Sequence, residues 1–163
     1  MTPLPSKPMT PESITVSLDL AKQLKEVGWE QQGTQFWWCV TVKPYVTFNP
    51  QGVFAPHEKR IGIIHGGLFA APTAEEILRR LPPSVPMKSD FPNMEDDSRN
   101  PTVYLPLRIK CGAPKRGSIT PRWMVLYRDE MNEPACIGVQ IEDTLADAAA
   151  RMYCYLSSHN LLP

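Results

Sequence analysis

Three times along this chain a small capping residue opens an amphipathic run, and the sequence between the copies is of β type. Ser17 stands before Leu18, Ala21 and Leu24 at helical spacing, with Leu20 and Val27 widening the apolar stripe. Its hydroxyl is placed to accept from the open amides of the first turn, Asp19 lies near the positive end of the helix dipole, and Gly28 supplies a left-handed stop. Thr73 and Glu76, following Pro72, form a capping box; Ile77, Leu78 and Leu81 carry its stripe until Pro82 and Pro83 end it. Thr144, with Asp147 three residues on, opens a run through Ala148, Met152, Tyr155 and Leu156. His159 lies near the negative end of that run, and Asn160 suits the terminating conformation.

The intervening segments read as strands. Phe36 to Phe48 is rich in aromatic and β-branched residues, and Pro44 makes it an edge strand or two strands broken there. Asn49 to Gly52 is a turn, Val53 to Pro56 and Arg60 to His65 are short strand candidates, and Gly66 and Gly67 bend the chain toward the second helix. Val103 to Cys111, Arg122 to Arg128 and Ala135 to Ile141 are joined by connections too short for crossovers, which predicts an antiparallel meander. The order helix, strands, helix, strands, helix gives an α+β fold: an antiparallel or mixed sheet with about three helices, mainly on one face.

A length of 163 residues fits one domain with a single sizeable core. The 18 prolines gather in the first dozen residues, in the stretch from Pro82 to Pro101 and at loop tips. The expected organisation is therefore a disordered arm over 1–13 and one domain over 14–163 with an extended acidic loop at 82–101. Seventeen basic and seventeen acidic residues cancel, so no global field draws nucleic acid to the chain. No apolar stretch approaches the roughly 20 residues that span a bilayer, and the proline-rich start lacks the regions of a signal peptide; a cytoplasmic location is expected. Cys39, Cys111, Cys136 and Cys154 stand singly, as buried thiols that behave as small hydrophobes would.

Catalytic motifs are incomplete. Gly66 and Gly67 after His65 resemble the start of an oxyanion loop, yet no G-x-S-x-G accompanies them. His57, Glu58 and His65 lack the spacing that sets two imidazoles on one helix face. The run Gly112 to Ser118 has the glycine spacing of a phosphate loop without its lysine, and reads as a hairpin tip exposing Lys115 and Arg116. No cofactor and no metal are expected. Trp37 and Trp38 must point to opposite faces of their strand, so both are core or one joins Tyr45 and Phe48 as an exposed partner surface. Glu95, Asp96 and Asp97 form an acidic loop, a solvated segment or a contact for a basic partner.

Taken together, Ser17 through Trp29, the aromatics Phe36, Trp37 and Trp38, Ala71 through Leu81, and Leu145 through Tyr153 ending near Asn160 and Leu161 resemble a broad set of small accessory proteins of tailed bacteriophages and prophages. That set brings no catalytic residues. The resemblance implies a phage accessory product in a bacterial cytoplasm. The expected function is non-enzymatic binding of a host or phage macromolecule, inhibiting a bacterial defence system. A small-molecule binder that sequesters a nucleotide signal is the alternative, and a hydrolase a third. The contact residues expected are Trp37, Trp38, Tyr45, Lys115, Arg116, Glu95, Asp96 and Asp97. A host or phage protein heads the expected partners, followed by a nucleotide and then nucleic acid; no membrane is involved, and a homo-oligomer is compatible.

Overall fold

The first capped run becomes a helix, but its cap is not the expected one. In the computed structural model, which describes residues 10–51, 54, 59, 67–88, 102–114, 116, 120–128 and 136–163, α1 (Pro11–Ile14) and α2 (Leu18–Glu26) come first. Ser17 occupies the N-cap of α2, yet its hydroxyl makes no capping bond. Instead the Ser17 amide donates to Asp147 Oδ1 at 2.7 Å, across 130 residues of sequence. Helix α1 takes up residues that the sequence assigns to the arm, because Glu12 Oε1 accepts from the Val46 amide and Thr15 bridges to Thr73.

Strands β1 (Phe36–Cys39) and β2 (Tyr45–Phe48) form a hairpin broken around Pro44, and β3 (Leu68–Ala70) pairs antiparallel with the other side of β1. This gives a three-stranded sheet in the order β2-β1-β3. Helix α3 (Ala74–Leu78) opens with the full capping box: Thr73 Oγ1 accepts from the Glu76 amide, and Glu76 returns to accept from the Thr73 amide at 2.6 Å. The chain then enters β4 (Ser84–Lys88), within a stretch expected to be an extended loop. Pro86 is tolerated because β4 is an edge strand, its one neighbour in the sheet being β5 (Thr102–Gly112). Strands β5, β6 (Arg122–Arg128) and β7 (Cys136–Glu142) form the expected antiparallel meander, so the second sheet runs β4-β5-β6-β7. The fold is α+β, with two antiparallel sheets where one was expected.

Helix α4 (Leu145–Ser158) closes the structure and serves both sheets. Ala146, Ala149 and Ala150 enter a core with Leu20, Leu24, Trp37, Trp38 and Ile77, while Ala148, Met152 and Leu156 enter another with Val85, Leu105, Val125 and Tyr127. Alanine methyls on two sides let the backbone approach both layers closely, and the same residue carries the highest helix propensity. Thr144 caps the helix through its hydroxyl, which accepts from the Asp147 amide at 3.1 Å. Asp147 is thereby free to hold Ser17, which ties the starts of α2 and α4 together. At the far end Asn160 adopts φ +54°, the terminating conformation its position predicts.

Candidate functional site

Two of the expected contact residues are committed to the interior. Trp37 and Trp38 are 7% and 9% exposed. Trp37 donates from Nε1 to Asn49 O and meets Phe54 edge-on at 5.1 Å; Trp38 donates to Val16 O at 2.8 Å. Each indole N–H finds a carbonyl, as burial of a polar handle requires. The two rings point to opposite faces of β1 as alternation demands, but Trp38 is held by Val16 and Trp37 meets Phe54, so neither is left as a platform. Tyr45 and Phe48 are both exposed, but they stand at opposite ends of β2 and on opposite faces of it, and Arg116 is exposed at the hairpin tip. Lys115, Glu95, Asp96, Asp97, His57 and His65 lie outside the described residues. The expectation of four buried thiols is corrected: Cys39 is buried and Cys154 half-buried, but Cys111 and Cys136 are exposed because they sit at strand ends beyond the reach of α4.

A surface that the motif search missed lies on the four-stranded sheet. Val85, Leu105, Leu107, Trp123, Val125 and Tyr127 face α4, so the alternate positions of these strands face the other way. The strand register sets Tyr104 beside Pro86, Arg108 beside Leu126, Lys110 beside Met124 and Ile141, and Gly112 beside Arg122. A bulge in β7 turns both Ile137 and Gly138 toward α4 and returns Val139 to the outer face. Tyr104 is 64% exposed, Val139 47%, and Lys110 is exposed as well. Leu126, at the centre, is only 3% exposed, so the accessible part is the Tyr104 to Lys110 column and the β7 margin.

The charge on this face has one sign. Arg108, Lys110, Arg122 and Arg128 occupy it, and none of its strand positions is acidic. Glu142, the one acidic residue of β7, turns inward to Arg151 of α4. Asp143 sits at the rim, 3.9 Å from Arg122, whose guanidinium also donates to Ile141 O. Arg108 and Arg128 make contacts of their own. A signal for this surface was present in the sequence: between Asp97 and Asp129 stand Arg99, Arg108, Lys110, Lys115, Arg116, Arg122 and Arg128 with no Asp or Glu among them. Global neutrality conceals that local run, and which face would carry it requires the strand register.

A second hollow, of about 180 Å³, is lined by Trp29, Gln32, Gly33, Thr34, Glu76, Arg79 and Arg80. It is aromatic and basic in composition but smaller than the roughly 300 Å³ at which ligand pockets begin. Its Trp29 ring is covered, with the Arg80 guanidinium 4.3 Å from the ring centre and Glu30 pairing with Arg80 at 3.2 Å. The Thr34 hydroxyl is buried in its wall with no hydrogen-bond partner among the described residues. Among the described residues no three His, Cys, Asp or Glu side chains gather as metal ligands, and no helix is long and apolar enough to cross a membrane. Comparison with protein families, with curated proteins and with solved structures finds no match to this chain.

Proposed function

We propose that this chain is a non-enzymatic accessory protein of the phage type, which binds a host or phage macromolecule on the outer face of the β4–β7 sheet and so inhibits a bacterial defence system. The observation that carries the binding reading is the segregation of charge: a neutral chain sets Lys110 and Arg122 on the outward positions of β5 and β6 near the tip that carries Arg116, and an exposed tyrosine about 20 Å back along β5, at about 3.4 Å per residue, with no acidic residue at the outward strand positions. Like charges gathered on one surface raise its self-energy, and a partner of opposite charge relieves that repulsion while steering encounter. The inner face of the same sheet is already occupied by α4, so the outer face is where the sheet has contact area to offer.

Site-directed photo-crosslinking tests this. A benzophenone side chain replacing Lys110 forms adducts in host cells, whereas the same group replacing the exposed Gln23 of α2 does not. Equal adduct formation at both sites, or none at position 110, refutes the outer-face reading.

A further inference from the structure

Resting on the reading of the outer face as a binding surface, we infer that its occupant is single-stranded nucleic acid. The face combines what such a ligand needs. Lys110 and Arg122 occupy outward positions of β5 and β6 near the hairpin tip, where Arg116 is exposed, and the three supply cations for the phosphates of one strand. On the same face Tyr104 stands 64% exposed on a paired strand, its ring open to stack on a base. Interfaces with nucleic acid carry far more positive charge than those between proteins, whose centres are depleted of charged residues. The outward strand positions carry no carboxylate to repel a phosphate backbone, since Glu142 turns inward to Arg151. Four strands about 4.8 Å apart are wider than the roughly 12 Å major groove, which admits a two-stranded ribbon, so unpaired bases are the form that reaches Tyr104. RNA and DNA share this chemistry.

Fluorescence anisotropy on the full chain, with labelled oligo-dT and oligo-rU of about 15 nucleotides, tests the inference and separates the two sources. Three phosphate contacts give a log–log salt slope near −2.1, so affinity falls roughly 20-fold between about 50 and 200 mM salt. The double variant Lys110→Glu, Arg116→Glu abolishes binding while its circular dichroism and melting stay those of the parent, since both side chains are exposed. Tyr104→Ala weakens binding about fivefold or more and leaves the salt slope unchanged, which separates stacking from charge. Preference for a duplex of the same length overturns the inference. So does displacement by poly-glutamate as effective as by oligo-dT with no effect of Tyr104→Ala, which assigns the face to an acidic protein. Failure of every oligonucleotide to bind while position 110 still crosslinks sinks this inference alone; failure of both sinks the outer-face reading with it.

Discussion

Replacing Gly138 by alanine puts the packing of α4 on β7 to a quantitative test. Gly138 has φ +63°, a left-handed conformation that costs an L-residue about 1–2 kcal/mol. A Cβ added there meets Cδ1 and Cε1 of Tyr155 at 2.8 Å and the Met152 sulfur at 3.1 Å, well inside the roughly 3.5 Å at which carbon contacts become favourable. The Tyr155 ring cannot retreat freely, because its other side stacks on His159 at 4.2 Å. Overpacking of this kind costs about 1–3 kcal/mol, so Gly138→Ala destabilises by about 2–5 kcal/mol in all. Urea unfolding followed by tryptophan fluorescence reads this as a midpoint lowered by about 1–2.5 M for a slope near 2 kcal/mol/M. The two contributions separate in a cycle: in a Tyr155→Ala background the two shortest contacts go, the Met152 thioether can shift into the vacated space, and Gly138→Ala costs little beyond the backbone portion, about 1–2 kcal/mol. A cost below about 1 kcal/mol in the parent, or one undiminished in the Tyr155→Ala background, refutes the reasoning.

Thiol labelling by iodoacetamide modifies Cys111 and Cys136 first, since both are exposed; Cys39 reacts only on unfolding, and Cys154 lags because burial raises its thiol pKa and depletes the thiolate. Mass spectrometry of a time course showing Cys154 labelled with the first pair would contradict the packing of α4. Tyr127→Phe removes the hydroxyl that donates to Pro82 O at 2.7 Å and costs about 1–2 kcal/mol in the same urea assay. Because burial raises the Tyr127 pKa, that ring stays protonated in an ultraviolet titration after exposed tyrosines have ionised. Glu12 has its pKa lowered first by its own backbone amide, which burial opposes, and then by the Val46 amide and the Thr10 side chain. A depressed carboxylate contributes stability above its unfolded pKa and loses it as pH falls through the lower folded value. Glu12→Gln therefore flattens part of the acid-side loss of melting temperature below about pH 4.5, and an unchanged acid limb would exclude this contact.

What was legible in the sequence was what the chain decides locally. The Thr73 and Glu76 box, the stop at Gly28 and the terminating Asn160 depend on residues within a turn of one another, and all three form. Ser17 shows the limit of that logic, since its partner Asp147 is 130 residues away and binds the amide where the hydroxyl was expected to act. Strand β4 was hidden by Pro83 and Pro86, which mimic a loop until an edge position makes proline harmless, and β3 is too short to leave a periodic trace. The candidate site was half legible. The hairpin-tip Arg116 is exposed as expected; Tyr104 and Lys110 share a face of β5 by alternation alone, but that this face is the one turned away from α4 shows only in the packing. The tryptophans misled for a physical reason: large amphipathic rings suit cores and interfaces alike, and adjacent ones on a strand need cover on both faces, which no local pattern reveals.

The shared role of α4 bears on how the protein is made. Trp37, Trp38, Leu20 and Leu24 belong to a core completed by Ala146, Ala149 and Ala150, which are synthesised well after them. The 76 positions between Ala70 and Ala146 take roughly 4–15 s to synthesise. Through that interval the first sheet carries its indoles without the helix that seals them, and it is during translation that this chain is most open to chaperones and proteases.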